Sequence, residues 1–275
     1  MPEIRSTKKG RPGKISRQGR QTTRQTLPLT PHPERAETLL LEVYDEVWDL
    51  AKQSVLASLD IRQDSLQSDA LAWFRKHLGP RMPKLVRKID LAVRAIDANA
   101  NTVAKALPKV YVHRYISGGL RALAEFRQRN INLITSVPKF VAARAQKVLT
   151  ANPNTHVRDL TKKIVEATDV TQSRARMWAR DQTTKATAQV VQAKHESLGI
   201  TEYIWRGTRD ERERGNPTNP RTKPGCENHW ILEGKRFKYS NPPIVNPSTG
   251  ERANPGQPIE CRCRAQAVLP DLGVA

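Results

Sequence analysis

From Thr30 to Leu198 the apolar residues recur at three- and four-residue spacing, and past Gly199 that period gives way to alternation. The break limits the architecture. A chain of this pattern is an α+β protein, with a mainly helical N-terminal and middle region and a small C-terminal unit of a few short strands and long loops. The first helix is predicted to start with Thr30 as cap and Pro31 in its first turn, and to run to about Leu59. Leu39, Leu40, Val43, Val47, Leu50 and Ala51 form its apolar stripe, with Tyr44 and Trp48 on the flank. Residues 63–106 read as helix interrupted at Gly79-Pro80. Val110 to Ile116 has the β-branched and aromatic content of a strand, but its helical neighbours favour a helix start, and Gly118-Gly119 reads as either a hinge or a close helix contact.

Ile131 to Pro138 reads as a short connector ending at the proline, followed by a helix over Ala142–Leu149. Thr155 then caps a helix bearing Val157, Leu160 and Ile164. A long helix over Gln172–Ser197 is stopped by Gly199. Three strands are expected beyond it: one at Tyr203 and Trp205, one over Lys235–Tyr239 with Phe237 inward, and one carrying Cys261, Cys263, Ala265 and Ala267. The chain divides accordingly into residues 1–33, a helical region over 34–150 and a C-terminal unit over 151–275.

Charge bears on partners. Lys and Arg number 47 against 27 Asp and Glu, a formal +20. Such an excess repels itself, so it points to a polyanionic neighbour or to a solvated basic surface. Residues 1–33 hold eight basic residues, Arg5, Lys8, Lys9, Arg11, Lys14, Arg17, Arg20 and Arg24, against one Glu. With no period of 2 or 3.6, this stretch reads as a flexible basic arm suited to salt-sensitive phosphate contact with double-stranded DNA. A solubilising tail or a targeting signal has the same composition. The N-terminal stretch lacks an apolar core of the signal-peptide kind, and no run has the length and apolarity of a membrane span. Three cysteines argue against a disulfide framework, so a soluble protein of a reducing compartment, without membrane contact, is expected.

Those cysteines suggest a metal. Cys226 and His229 stand three apart, and Cys261 and Cys263 two apart. Together they supply four ligands of the type and number of a closed tetrahedral zinc site. On a strand the last two side chains share a face, with Cα atoms about 6.6 Å apart. That is near the limit for a disulfide, whereas an ion can sit between the sulfurs. The alternative is that the cysteines are small buried hydrophobes and His229 makes a structural hydrogen bond.

No nucleophile elbow, Walker loop, dinucleotide fingerprint, zincin helix or zinc-deaminase signature occurs. Asp210, Glu211 and Glu213 are of the type that holds Mg²⁺ for phosphodiester cleavage, but they alternate with Arg209, Arg212 and Arg214. The plainer reading is a surface ladder of ion pairs.

An ordered set of motifs runs through the C-terminal half. It comprises Ile204-Trp205, Asp210-x-Arg212-x-Arg214, His229, Gly234-Lys235-x-Phe237, Pro242-Pro243 and Pro255-Gly256-x-Pro258-Ile259-x-Cys261-Arg262-Cys263. Upstream stand Asn132-Leu133-Ile134-x-Ser136-Val137-Pro138, Arg174-Ala175, Ala179-Arg180-Asp181-Gln182-Thr183 and Gly199-Ile200. This order resembles the phage Mu F-like head morphogenesis family, the minor head proteins of tailed bacteriophages, over roughly residues 120–270. Two departures are visible. Gly215 to Gly225 looks like an insertion, with Cys226 at its edge, and Asn254 stands where many members carry His.

The resemblance implies a non-enzymatic structural protein inside the capsid near the portal, present in a few copies and needed for head morphogenesis and for DNA packaging or ejection. It implies portal protein and major capsid or scaffold protein as partners, a virion location, and the host cytoplasm during assembly. Two further readings stay open: a zinc-stapled non-specific DNA-binding protein, and a metal-dependent nuclease or toxin.

Overall fold

The computed structural model describes residues 26–59, 66–152, 157–168, 172–218 and 228–270. The basic residues of the arm from Arg5 to Arg24, and Cys226, lie outside the described residues. Among the described residues seven α-helices precede five short strands, so the fold is α+β, with the strands gathered at the C-terminal end.

Helix α1 (Glu34–Ala57) is the centre of the helical body, packed by α2 (Leu66–Leu78), α3 (Met82–Asn101), α5 (Leu120–Ala151) and α7 (Gln172–Ser197). It starts at Glu34 rather than in the Thr30-Pro31 turn, because the residue before a proline is driven out of the helical region and Pro33 follows His32. Glu34 and Glu37 then sit in the first turn, where the helix dipole favours acid. Surrounded on several sides, α1 buries more than one stripe. Tyr44 and Trp48 are core residues rather than flanking ones. The Tyr44 hydroxyl donates to Asn130 Oδ1, and Asn130 Nδ2 donates to the Phe126 carbonyl at 2.8 Å, so this buried polar pair is satisfied. Trp48 meets Phe140 and Trp178 edge to face.

The residues around Gly79-Pro80 form a short 3₁₀ turn between α2 and α3, as the interruption there predicts. The expected connector at Ile131–Pro138 is instead part of α5, which runs unbroken through Pro138. The proline ring removes the N–H that would bond the Ile134 carbonyl, at a cost of about 3 kcal/mol. Ile134, Val137, Val141, Ala142 and Ala145 are all buried along this stretch. At about 1.5–3 kcal/mol for each large apolar side chain removed from water, packing outweighs the missing bond.

Helix α4 (Lys109–Ser117) occupies the segment read as a helix start. Gly118 and Gly119 make a close helix contact. A Cβ on Gly118 would stand 2.5 Å from Ser197 Oγ, and one on Gly119 2.9 Å from Val190 Cγ1. Beside them Lys194 is fully buried, and its Nζ reaches Asp97 at 3.0 Å, Asn101 at 2.9 Å and the Ile116 carbonyl at 2.8 Å. Helix α6 (Val157–Thr168) packs on α5 through Leu160 and Ile164.

After Gly199 (φ +76°) the chain enters an antiparallel sheet of order β2-β1-β5. Its strands are β1 (Glu202–Arg206), β2 (Arg236–Lys238) and β5 (Arg264–Ala267). In β1, Tyr203 and Trp205 are buried and pair with Ala267 and Ala265. A hairpin of β3 (Ile244–Asn246) and β4 (Glu251–Arg252) was not evident from the sequence pattern. Of residues 26–33, placed in the arm by composition, Leu27, Thr30 and Pro33 are buried. Thr26 bridges Val268, Leu27 N–H donates to the Ala267 carbonyl at 3.2 Å, and Leu27 is 1% exposed.

The sheet unit docks on α7. His195 is buried there, its Nδ1 shares a 2.7 Å hydrogen bond with the Tyr239 hydroxyl, and burial pushes its pKa down to about 3. In the unfolded chain this imidazole titrates near its ordinary value of 6.5. Its contribution to stability is therefore complete above pH 6.5. It is lost as the pH falls towards 3, at about 1.4 kcal/mol per pH unit. Urea unfolding of wild type and His195→Gln between these limits is expected to show a shallower loss for the variant. Parallel curves would contradict this account of His195.

Candidate metal and arginine site

The two halves of the C-terminal motif meet beneath the sheet. His229 opens the 3₁₀ turn Trp230–Leu232, which Trp230 N–H ties to the Arg214 carbonyl at 2.9 Å. Cys261 and Cys263 lie in the extended segment just before β5, not on the expected strand. Glu260 takes a left-handed conformation (φ +55°) and its N–H donates to Asp181 Oδ1 at 2.8 Å, which turns the chain so that both sulfurs point inward.

His229 Nδ1 stands 3.5 Å from Cys261 Sγ and 3.6 Å from Cys263 Sγ. All three residues are 2–3% exposed, and the two thiols are not joined. A tetrahedral zinc with bonds of about 2.3 Å to sulfur and about 2.0–2.1 Å to nitrogen sets nitrogen and sulfur about 3.6 Å apart. The donor set therefore fits such an ion in both type and spacing. Three of the four residues read as ligands come together, and the fourth, Cys226, lies outside the described residues. His229 Nε2 is buried with no hydrogen-bond partner. Burial pushes the Cys261 thiol up. Hydrogen bonds from Cys263 and His229 outweigh it and hold Cys261 well below the ordinary thiol value. Hydrogen bonding to Cys261, together with burial, pushes Cys263 up. One sulfur thus tends to thiolate and the other to thiol, and a cation between them would favour thiolate at both.

Glu213 is a residue that sequence reasoning misplaced. It lies inside at 4% exposure, with Oε2 accepting the Arg209 N–H at 2.7 Å and Oε1 4.0 Å from Cys263 Sγ. Burial and the nearby Glu233 push its carboxyl up. Gly207 makes the room, since a Cβ there would stand 1.9 Å from Glu213 Oε1. The only sequence signal was this glycine immediately after β1. Asp210 does not join a carboxylate cluster either. Arg262 grips it through both terminal nitrogens at 2.6 and 2.7 Å. Burial raises the Asp210 pKa, but the Arg262 pair outweighs it and holds the carboxyl below its usual range.

The Pro255-Gly256 turn seals the site against α7. Gly256 has φ +82°, and a Cβ on it would stand 2.9 Å from Ala188 Cβ. Its N–H donates to Cys261 Sγ at 3.3 Å. Asn254 lies beside it, with Nδ2 donating to the Tyr239 carbonyl at 3.3 Å.

These pieces form one constellation, and comparison with known proteins finds a family match over the segment that carries it. Residues 154–266 match the family described as Phage Mu protein F like protein, the family that the ordered motifs resemble. An "Uncharacterized protein" of Haemophilus influenzae (strain ATCC 51907 / DSM 11121 / KW20 / Rd) is 33% identical over 145 residues. The aligned part is 51% of this chain and 28% of that relative, so the chain spans under a third of the relative's length. No solved structure matches the chain.

Metal analysis of the purified protein is expected to find about one zinc per chain. His229→Ala or Cys263→Ala should abolish it and lower the unfolding midpoint by several degrees, because metal binding is linked to folding. Cys226→Ala separates three-ligand from four-ligand binding. Protein free of metal after growth in zinc-supplemented medium would refute the site.

Proposed function

We propose that this chain is a minor head protein of a tailed phage, which acts inside the capsid near the portal in head morphogenesis and in DNA packaging or ejection. The match of residues 154–266 to the Mu F-like family carries this reading. The match covers the segment whose scattered motifs close into one buried site. In this reading the His-Cys-Cys cluster holds zinc as a structural staple for the small sheet unit, whose own core is thin.

The role is non-catalytic. Asp210 is committed to Arg262 and Glu213 is turned inward, which leaves the acidic run without the shared open carboxylates that a hard cation needs. The formal +20 charge supports contact with packaged double-stranded DNA through the basic arm. The helical body is the surface offered to portal and to capsid or scaffold protein. No helix among the described residues is long and apolar enough to cross a membrane.

Quantitative mass spectrometry of purified virions and empty procapsids tests the role. A few copies in both particles are expected, and absence from both would overturn it. The arm has its own test. Deleting residues 1–25 should reduce the salt slope of DNA binding by up to about 7, since each phosphate contact contributes about 0.9. An unchanged slope would remove the arm from DNA contact.

A further inference from the structure

Between the start of α1, the middle of α7 and the sheet unit lies a cavity of about 600 Å³. Its walls bring together five arginines from separate parts of the chain. Arg176 and Arg180 come from α7, Arg212 from the loop after β1, Arg262 from the segment before β5, and Arg264 from the start of β5. Glu34 and Glu37 line the same space. Existing pairs occupy part of this charge. Arg180 meets Glu37 at 3.3 Å, Arg262 holds Asp210, and Arg264 donates to the Thr30 carbonyl at 3.1 Å. Even with Asp210 counted beside the two glutamates, the lining keeps a surplus of positive charge. Like charges converging on one cavity repel, and a bound anion would relieve that repulsion.

Two further atoms mark this cavity as a place where something binds. Thr184 is 8% exposed and Asn254 7%, and both line it. The Thr184 hydroxyl and Asn254 Oδ1 are buried without a hydrogen-bond partner. Such orphans cost about 1–3 kcal/mol each unless something satisfies them. Leu41, Ala188 and Val191 supply an apolar wall. The volume falls in the range of small-molecule sites, roughly 300–1,000 Å³.

We propose that this cavity binds a phosphate ester of nucleotide size. A carboxylate offers two oxygens to guanidinium forks, whereas a phosphate offers three or more and suits arginines that converge from several directions. The apolar wall and the remaining volume take the organic part. The ligand is either a free nucleotide or the phosphorylated end of a nucleic-acid strand. The site stands apart from the head-protein role and does not depend on it.

Calorimetric titration of the full chain with AMP, adenosine, inorganic phosphate and a short terminally phosphorylated oligothymidine tests this. AMP should bind saturably at one site, with adenosine and phosphate each weaker by about tenfold or more. Tighter binding of the oligothymidine than of AMP identifies the strand end, and equal or weaker binding the free nucleotide. Arg180→Gln and Arg264→Gln should each weaken AMP by about tenfold, and Thr184→Val by several-fold. Lys139→Gln, on the exposed face of α5, should leave it unchanged. Hydrogen exchange of the wild-type protein should show AMP protecting residues 30–41 and 184–192, which requires no variant to fold. The proposal fails if no phosphate ester binds saturably, or if the cavity variants bind AMP as wild type does.

Discussion

Helix α7 is the wall that the two halves of the protein share. On one side Ala175, Ala179, Ala186 and Val190 complete the helical core around α1. On the other, Ala188 accepts Gly256 within contact distance, and His195 bonds Tyr239. Among the described residues the small sheet has eight buried core side chains of its own, two of them cysteines. A core that thin needs a rigid neighbour. Small residues on α7 allow close approach, which explains why this helix is alanine- and threonine-rich rather than leucine-rich and why its polarity is spread around the axis. A side chain added at Ala188 would push away the Pro255-Gly256 turn, and with it the backbone that holds Cys261.

The period change at Gly199 was legible because it is a local property: a helix and a strand each write their repeat into ten or so residues. Helices α3 and α7 followed from such repeats, whereas α4 was read as helix only from its helical neighbours. Pro138 misled because proline's effect is local while its compensation is tertiary. Five buried neighbours on α5 outweigh one missing hydrogen bond. Tyr44 and Trp48 were placed on a flank because a periodicity argument assumes one buried face, and α1 has neighbours on several sides. The start of α1 shifted to Glu34 because three prolines within six residues, Pro28, Pro31 and Pro33, favour extended chain.

At the site, sequence order carried more than residue chemistry. The convergence of His229 with Cys261 and Cys263 was readable from the ligand types and their spacing. The strand expected to deliver the two cysteines is absent at that point, and a left-handed Glu260 does the work instead. Glu213 was unreadable. Charge alternation along residues 209–214 describes a solvated strip, and only the fold reveals that Gly207 leaves a hole for one of those carboxylates. Asp210 and Arg262 stand 52 residues apart, and their bidentate pair joins two motif fragments that looked independent.

The bridge between Thr26 and Val268 spans nearly the whole chain. Its consequence concerns the order of events during synthesis. Leu27 leaves the ribosome early, yet its partners on β5 are among the last described residues to be made. Its apolar neighbours Val103, Ala104, Leu107 and Tyr115 are made much earlier, so the side chain can find cover while its backbone still waits for β5. Closing so long a loop costs entropy that local helix formation does not. The helical body can therefore assemble while translation continues, and the seam between residues 26–27 and 267–268 closes late in folding.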